Sequence, residues 1–386
     1  MKVLYFAPTS TLYGDNIALL NILKILVSDY NVIPYIITSR EGEFTERLKE
    51  LGYCYSTMNF GQVMWPPVCN IRDFILLIPR LVKYLLWYNS PIYLWLCLNR
   101  IIREFQPNLI HTNNSCVYTG LLVAKLWKIK HIQHIREYTE YSYRRSYFPT
   151  RNRFLNLIAS NWNKNIFITC GVMSLWNQVE SIRNKVIYDG VYSQNIKFRN
   201  KEKDNYFLYV GRLVKDKGVL ELLEEFNLFC QNNDTINLKI VGDGPLEYKH
   251  QLCHFVSNRN LANRVEFLGY QKDTFTLMAR AMAVIVPSYF EGFGFVPVEA
   301  MINGALVVLR DTTGLKEQLD RGLSTTGVEI GLRFKENHDM SIIMNEIVKN
   351  GMEYYSSMIS HAQLAIKAYS SEESAKEVFN YYNEVV

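Results

Sequence analysis

The chain has 386 residues, which is too long for one compact hydrophobic core, so two domains of similar size are expected. Hydrophobic residues make up 48% and charged residues 20%, a composition that excludes an intrinsically disordered chain. The formal net charge of +5 is small for this length and does not indicate bulk binding of nucleic acid.

The cysteines and the first residues both bear on the compartment. Seven cysteines form no CxxC pair and are odd in number, which indicates a reducing compartment and no disulfide framework. The opening MKVLYFAPTS lacks the long apolar run and small-residue cleavage site of a secretory signal, and is typical of a first buried strand. An intracellular, cytoplasmic protein is therefore expected.

Short apolar, β-branched runs alternate with longer helical patterns, which predicts parallel sheets covered by helices. Residues 17–27 are apolar nearly throughout and predict a helix packed against a sheet. The strands predicted in the first half are 2–7, 32–37, 108–112, 131–135, 165–169 and 185–188.

The most apolar segment, residues 74–102, is a candidate membrane span. Its longest run without a charge, 84–99, has 16 residues. A spanning helix needs about 20. Two amphipathic helices fit the pattern better, with an aromatic face that is either buried or rests on a bilayer surface.

Basic and aromatic residues are interleaved over residues 136–153. The basic members are Arg136, Arg144, Arg145, Arg151 and Arg153. A solvated loop accounts for this pattern, and so does a contact surface for an anionic substrate or a membrane.

A polar, charged stretch at 193–205 has no apolar period and predicts a linker between two domains. The strand pattern then restarts at 206–210, 236–241, 265–269, 283–287 and 305–309. The predicted domains are 1–195 and 205–365, both Rossmann-like, followed by a helical segment at 366–386.

Four strand-to-helix turns have the composition of anion sites, because helix N-termini direct N–H groups at ligands beyond the carboxyl ends of strands. The first contains Gly14, and a plain tight turn explains it equally simply. The second, 211–218, carries Arg212 and Lys217, which suit a diphosphate but are also compatible with surface charge. The third is the G-D-G-P turn at 242–245.

The fourth turn, 288–300, is the most informative. Gly292 and Gly294 allow backbone amides to face a ligand at the start of a helix. Glu291 lies in the loop and Glu299 in the first turns of that helix. Two carboxylates beside one phosphate site suit the neutral hydroxyls of a sugar and a ribose, since each accepts strong hydrogen bonds.

These motifs resemble those of the family 4 retaining glycosyltransferases (glycosyl transferases group 1). The E-x7-E element from Glu291 to Glu299, the G-R-x4-K-G loop, the G-x-G-P turn and the A-M-I-N-G-A-L-V-V run occur in the family's order and spacing. The resemblance is strong over 206–320 and weaker over 131–137 and 186–190. It implies the GT-B fold, an α/β architecture in which two Rossmann-like, doubly wound parallel-sheet domains face each other across a cleft and the C-terminal helix returns to the N-terminal domain.

The resemblance also implies roles for single residues. Arg212 and Lys217 would neutralise the donor diphosphate as it leaves. Glu291 would contact the donor sugar, Glu299 would hold the ribose hydroxyls, and His134 would lie near the sugar on the acceptor side.

Further donor-binding residues follow from the same match. Gly14 would bring the N-terminal loop against the diphosphate, although many relatives have an adjacent pair of glycines there. Asp189 stands where an asparagine is common. The remaining donor-binding candidates are Gly211, Gly292, Phe293 and Gly294 beside the phosphates and Tyr270 near the base.

In such enzymes the acceptor attacks from the face that the donor phosphate leaves, so the sequence predicts neither a metal nor a cofactor. The donor would be a UDP- or GDP-linked sugar. The acceptor would be a glycan or lipid-linked glycan in bacterial surface polysaccharide synthesis, with Arg136, Arg144 and Arg145 as acceptor candidates and peripheral contact with the inner membrane face. The alternatives are a catalytically silent sugar-nucleotide-binding protein and a sugar-nucleotide epimerase.

Overall fold

A computed structural model describes residues 1–61, 63–66, 68, 71–138, 140, 146–148, 150–196 and 201–386. The acceptor candidates Arg144 and Arg145 lie outside these residues. The chain forms two compact units, Met1–Ser193 with Ser371–Val386, and Gln194–Ser370. Each unit contains one parallel sheet covered by helices, as the alternating pattern predicts.

The first unit has a seven-stranded sheet in the order β3-β2-β1-β4-β5-β6-β7. Every neighbouring pair is parallel. The strand order reverses between β1 and β4, which is where ligands bind in open α/β sheets. The strands are β1 (Lys2–Ala7), β2 (Ile33–Thr38), β3 (Cys54–Thr57), β4 (Leu109–Thr112), β5 (Lys130–Ile135), β6 (Asn163–Phe167) and β7 (Asn184–Val186).

Helices cover both faces of this sheet. The predicted helix at 17–27 is α1, which begins three residues earlier, at Gly14, and buries Leu19, Leu23 and Leu26 against the strands. The helices are α1 (Gly14–Ser28), α2 (Glu43–Glu50), α3 (Ile71–Ile75), α4 (Leu77–Arg80), α5 (Pro91–Phe105), α6 (Thr119–Trp127), α7 (Arg151–Ile158) and α8 (Cys170–Leu175).

The apolar segment 74–102 is more broken than the two predicted helices. A π-helix, Leu81–Trp87, separates α4 from α5, and Pro91 occupies the first turn of α5 after the cap Ser90. Proline fits there because its missing N–H would have no helical partner. Within the described ranges, the chain forms no helix with the length and apolarity that a bilayer crossing requires.

The second unit has a six-stranded parallel sheet in the order β10-β9-β8-β11-β12-β13, so its order reverses between β8 and β11. Its strands are β8 (Tyr206–Val210), β9 (Asn237–Val241), β10 (Val265–Gly269), β11 (Ala283–Val286), β12 (Leu306–Arg310) and β13 (Leu332–Phe334). Its helices are α9 (Val219–Phe229), α10 (Leu246–Asn258), α11 (Phe275–Arg280), α12 (Phe295–Ile302), α13 (Thr313–Thr326), α14 (Asp339–Asn350) and α15 (Ser356–Ala365), with 3₁₀ turns at Lys215–Lys217, Met352–Tyr355 and Ile366–Tyr369.

Two strands, β3 and β13, have no counterpart in the sequence prediction. Both are short and lie at sheet edges. Because one side of an edge strand faces solvent, β3 does not carry the continuous apolar run that marks a buried parallel strand.

The final helix, α16 (Ser371–Val385), follows the second unit in sequence but packs in the first. It buries Ala375, Val378 and Tyr382 in the same core as α1. Phe379 stacks on Tyr30 with ring centroids 4.5 Å apart. The predicted return of the C-terminal helix to the N-terminal domain is confirmed.

Candidate functional site

In the second unit, the loops that follow β8, β9, β10 and β11 are tied together at the carboxyl edge of the sheet. The amide of Gly211 donates to the carbonyl of Val241 at 3.0 Å, and the amide of Gly242 donates to that of Gly269 at 2.8 Å. The amide of Tyr289 donates to Asp216 at 3.0 Å, which fixes the loop after β11 against the loop after β8. The predicted glycine-rich turns therefore form one continuous edge.

Two of the glycines are required by these close approaches. A Cβ atom at Gly242 would overlap the carbonyl oxygen of Gly211. A Cβ atom at Gly218 would overlap the carbonyl oxygen of Pro287, and the φ of Gly218 is +67°. A larger side chain at either position would push the loops apart, so these glycines hold the edge together.

The second and fourth turns meet through their side chains. The ammonium group of Lys217 forms an ion pair with the Glu291 carboxylate, and both side chains are about four-fifths buried. Arg212 is exposed, and its guanidinium has no side-chain partner among the described residues. One cation is therefore held by an acid, while its neighbour on the same loop is available to an anion.

The fourth turn is held by residues of α13. The amide of Glu291 donates to the Thr313 hydroxyl at 3.0 Å. The side-chain amide of Gln318 donates to the carbonyls of Phe293 at 2.6 Å and Gly294 at 2.8 Å. These bonds occupy the carbonyl groups of the loop at the start of α12, where the first N–H groups of the helix have no intrahelical acceptor and carry partial positive charge.

Glu299 lies in the second turn of α12 with its side chain largely withdrawn from water. Burial raises the pKa of this carboxyl group to about 7. No side chain or amide of the described residues donates a hydrogen bond to it. A carboxyl group that is partly withdrawn from water and has no partner is costly, so this residue is suited to accept hydrogen bonds from a ligand.

Tyr270 lies just past β10 at the same edge. Its side chain is 77% exposed, so its ring is accessible to a ligand. The second unit thus brings together Gly211, Arg212, Lys217, Tyr270, Glu291, Gly292, Phe293, Gly294 and Glu299 within loops that follow neighbouring strands. The arrangement supplies two cations and a helix N-terminus, which suit an anion, and carboxylates, which accept hydrogen bonds from hydroxyl groups. It therefore suits an anionic ligand that carries hydroxyl groups.

In the first unit, Gly14 is the first residue of α1, and a Cβ atom there would have no atom within 4 Å. The loop before it is held by Asn16. Its side-chain amide donates to the carbonyls of Thr9 at 3.1 Å and Thr11 at 2.8 Å. The fold itself therefore does not require glycine at position 14.

His134 and Arg136 lie at the end of β5 and just beyond it, and both are buried. The Arg136 guanidinium forms an ion pair with Asp189 and donates to Asn113 at 2.9 Å and to Nδ1 of His134 at 3.2 Å. These contacts occupy Arg136 within the chain, so its role toward an anionic acceptor stays a prediction. They also give Asp189, the departure from the family's asparagine, a partner of opposite charge.

A cavity of about 570 Å³ lies where the strand order of the first unit reverses. It is lined by the loops that follow β1, β2 and β4, with Arg40, Tyr84 and Cys116 among its side chains. A cavity at this point of a parallel sheet is the expected place for a ligand.

Sequence reasoning missed several residues that position these sites, among them His111, Thr313, Gln318 and Tyr382. His111 carried one signal, since it is a polar residue in an otherwise buried strand. Gln318 and Tyr382 carried none, because their partners are 24 or more positions away in sequence. Among the described residues, no three His, Cys, Asp or Glu side chains group to hold a metal ion.

Residues 193–365 match the family model described as Glycosyl transferases group 1. This matched range includes every candidate site residue of the second unit.

Two relatives match part of the chain. The uncharacterized glycosyltransferase MJ1059 of Methanocaldococcus jannaschii is 27% identical over 245 residues, which cover 57% of this chain and 60% of that protein. The O-antigen chain mannosyltransferase RfbU of Salmonella typhimurium is 32% identical over 146 residues, or 37% of this chain and 40% of that protein. The chain thus spans less than two thirds of the length of either relative.

A solved structure covers the whole chain. Anabaena HepE, in complex with UDP-glucose, superposes with a TM-score of 0.75 at 19% identity and covers 99% of each chain. Together with the two parallel-sheet units, this likeness confirms the GT-B fold.

Proposed function

We propose that this protein is a retaining, metal-independent glycosyltransferase of family 4 that moves a sugar from a UDP- or GDP-linked donor to a glycan or lipid-linked glycan. The observation that carries the proposal is the Lys217–Glu291 ion pair at the carboxyl edge of the second unit. It joins the predicted diphosphate loop to the predicted sugar-binding turn, which are 74 positions apart in sequence.

The charges around this pair support a nucleoside diphosphate as ligand. Arg212 and Lys217 provide a fork and a point charge for the two phosphates, and the N-terminus of α12 adds its partial positive charge. Glu299 would accept hydrogen bonds from the ribose hydroxyls. RfbU is named a mannosyltransferase and HepE was solved with UDP-glucose, so both GDP- and UDP-linked sugars are candidate donors.

In the proposed reaction, the bond between the anomeric carbon and the phosphate oxygen breaks, and the electron pair leaves with the diphosphate. An acceptor hydroxyl forms the new bond to the same face of the sugar and gives its proton to the leaving phosphate. Arg212 and Lys217 stabilise the negative charge that develops on this group, so most of the catalysis is electrostatic.

The first test compares two neighbouring lysines in the full chain. Lys217→Met removes the charge beside Glu291, whereas Lys215→Met removes an exposed charge on the same 3₁₀ turn. With UDP-glucose and GDP-mannose as probes, we expect Lys217→Met to lower the rate of sugar release or transfer by about 100-fold, the size typical of one lost charge-stabilising donor. Lys215→Met should retain the rate of the unchanged protein.

Arg212→Ala serves as the second variant, because this exposed side chain can be removed without disturbing the fold. We expect it to lower the same rate while the melting temperature stays constant. Donor binding without turnover in the unchanged protein would indicate the silent binding alternative. Rates that are equal in all four proteins would rule out the proposed diphosphate site.

The proposed acceptor is anchored in a lipid surface, and the first unit supports this. We call the exposed apolar side chains of α3, α4, the π-helix and α5 the apolar helical face. Its members, 45 to 80% exposed, are Ile71, Phe74, Ile75, Ile78, Val82, Leu86, Trp87, Ile92, Trp95 and Leu96. Such large apolar side chains rarely face water without a partner.

Charge favours an anionic bilayer as that partner. Residues 71–105 contain five basic and two acidic side chains. Tyr84, on the π-helix between these apolar residues, also lines the cavity of the first unit. A lipid-linked acceptor could thus remain in the bilayer while its glycan enters the cavity.

Binding to lipid vesicles tests the apolar helical face. The double variant Ile78→Ser, Ile92→Ser should bind vesicles of phosphatidylglycerol and phosphatidylcholine at least tenfold more weakly, since each buried isoleucine contributes about 1.5–3 kcal/mol. The control Val179→Ser, Ile182→Ser changes two apolar residues of similar exposure elsewhere in the first unit. Equal binding of the two double variants would contradict a lipid-facing role.

A further inference from the structure

A hydrogen-bonded series of buried polar groups runs through the first unit from α16 to β5. The hydroxyl of Tyr5 lies 3.1 Å from that of Tyr382, which lies 2.5 Å from Nδ1 of His111. Nε2 of His111 lies 3.2 Å from Nδ1 of His134. All four side chains are almost fully withdrawn from water, so each of their donors and acceptors needs a partner in the protein or in a ligand.

Arg136 sets the direction of these hydrogen bonds. Its guanidinium lies 3.2 Å from Nδ1 of His134 and can only donate. Nδ1 of His134 must therefore accept, which places the single proton of a neutral ring on Nε2. A doubly protonated ring would set one N–H group against another.

The same reasoning applies to the other members of the hydrogen-bonded series. Because Nδ1 of His134 accepts, Nε2 of His111 directs its hydrogen at the same lone pair, which it shares with the Arg136 guanidinium, and Nδ1 of His111 accepts. Tyr382 must then donate its hydroxyl proton to His111, and it accepts from Tyr5. The hydroxyl on the C-terminal helix thus determines which nitrogen of His111 carries hydrogen, and the N–H group of His111 joins Arg136 in holding Nδ1 of His134 as an acceptor.

The last atom of this hydrogen-bonded series is Nε2 of His134. This atom is buried and has no hydrogen-bond partner among the described residues. A buried N–H group without an acceptor is destabilising. His111 and Arg136 both contact the Nδ1 side of the ring, so a ligand oxygen is the acceptor that would satisfy Nε2.

We propose that Tyr382 and His111 are positioning residues that hold His134 as a neutral imidazole whose Nε2–H donates to an oxygen of the bound substrate. The proposal rests on the proposed function and makes His134 a hydrogen-bond donor rather than a base. No proton leaves the ring during the reaction. This agrees with a mechanism in which the departing phosphate takes the acceptor's proton.

The electrostatic surroundings favour the neutral ring. Burial, followed by the nearby charge of Arg136 and the neighbouring His111, lowers the pKa of His134 well below its usual range. Burial, Arg136 and His131 do the same to His111. The acid that faces this group, Asp189, is neutralised by its ion pair with Arg136.

The test reads the ring directly in the full chain with ¹⁵N-labelled histidine. Nitrogen NMR at pH 7 should show His134 and His111 with hydrogen on Nε2, with signals assigned through His134→Gln and His111→Gln. In Tyr382→Phe the His111 ring loses its donor, and we expect a mixture of both neutral forms in His111, while Arg136 keeps the hydrogen of His134 on Nε2. Tyr381→Phe is the matched control, because it removes the hydroxyl of the adjacent buried tyrosine, which is not a member of the hydrogen-bonded series.

Kinetics provide the second readout. With UDP-glucose or GDP-mannose as donor, Tyr382→Phe should lower kcat about tenfold with only a small change in KM. Its pH profile from pH 6 to 8 should not change. Tyr381→Phe should match the unchanged protein. Hydrogen on Nδ1 of His134, or a charged ring, would overturn the proposal whether or not the protein transfers sugar. A Tyr382→Phe protein with the same His111 tautomer and the same rate as the unchanged protein would also overturn it. The NMR result is independent of turnover, so an inactive protein with the expected ring state would count against the enzyme activity alone.

Discussion

At the scale of single residues, the second unit pairs one cation of its predicted diphosphate loop with an acid and leaves the other exposed. Lys217 is held by Glu291, whereas Arg212 extends into solvent. Glu299 adds a carboxyl group that burial has made easier to protonate. Since pKa shifts of this kind cluster at functional sites, Glu299 has the property most easily tested by pH.

The affinity for UDP-glucose should rise with pH between 6 and 8. In the free protein the Glu299 carboxyl group has a pKa of about 7, so below pH 7 it is mostly protonated. Only the carboxylate can accept hydrogen bonds with both oxygens from a pair of ribose hydroxyls, so binding at low pH must first remove a proton. The expected change below pH 7 approaches tenfold per pH unit, about 1.4 kcal/mol.

Isothermal titration calorimetry at pH 6, 7 and 8 measures this dependence. The donor diphosphate does not titrate in this range, so the protein supplies the change. Glu299→Gln should bind more weakly and lose the dependence. A Glu299→Gln protein that keeps the full pH dependence would assign it to another group.

At the scale of single elements, helix and strand ends place the site residues. In the second unit α12 begins beside the predicted sugar-binding turn, and Gln318 on α13 holds that turn by its carbonyls. In the first unit α1 begins at Gly14, where the chain leaves open space. A glycine that the fold does not need is a candidate for close approach by a ligand.

Replacement of Gly14 by alanine should therefore separate binding from stability. The added methyl group meets no atom of the described structure, so the free energy of unfolding should change by less than about 1 kcal/mol. Affinity for UDP-glucose should fall by about tenfold if the loop contacts the diphosphate. Lys24→Ala, an exposed change in the middle of α1, is the control for helix stability. A Gly14→Ala protein with normal donor affinity would remove this loop from the donor site.

At the scale of the whole molecule, the last helix returns to the first unit after the chain has completed the second. Its buried face, which includes Val378 and Tyr382, completes the core around α1 and β1. The first unit thus depends on residues at both ends of the chain.

Val378→Ala should lower the free energy of unfolding by about 2 kcal/mol, because it leaves a cavity in this core. Lys376→Ala, an exposed change on the same helix, should alter it by less than about 0.5 kcal/mol. Urea denaturation of the full chain, followed by circular dichroism, makes the comparison. Equal effects of the two substitutions would indicate that α16 contributes little to the core.

The sequence by itself determined the features that are local in the chain. Apolar runs marked the strands from β1 to β12 other than β3, and glycine and charge patterns marked the turns that follow β8, β9 and β11. These signals survive without a structure because strand burial and turn conformation depend on neighbouring residues. The edge strands β3 and β13 escaped detection, because a strand with a solvated side needs no continuous apolar run.

Only the tertiary structure decided which of these residues act together. Lys217 and Glu291 are 74 positions apart, and Tyr382 and His111 are 271 apart. Such pairs form because the order of strands in each sheet brings distant loops to one edge and returns the last helix to the first core. No local pattern encodes that order, so the partners of His134 and of Lys217 could not be predicted from the sequence.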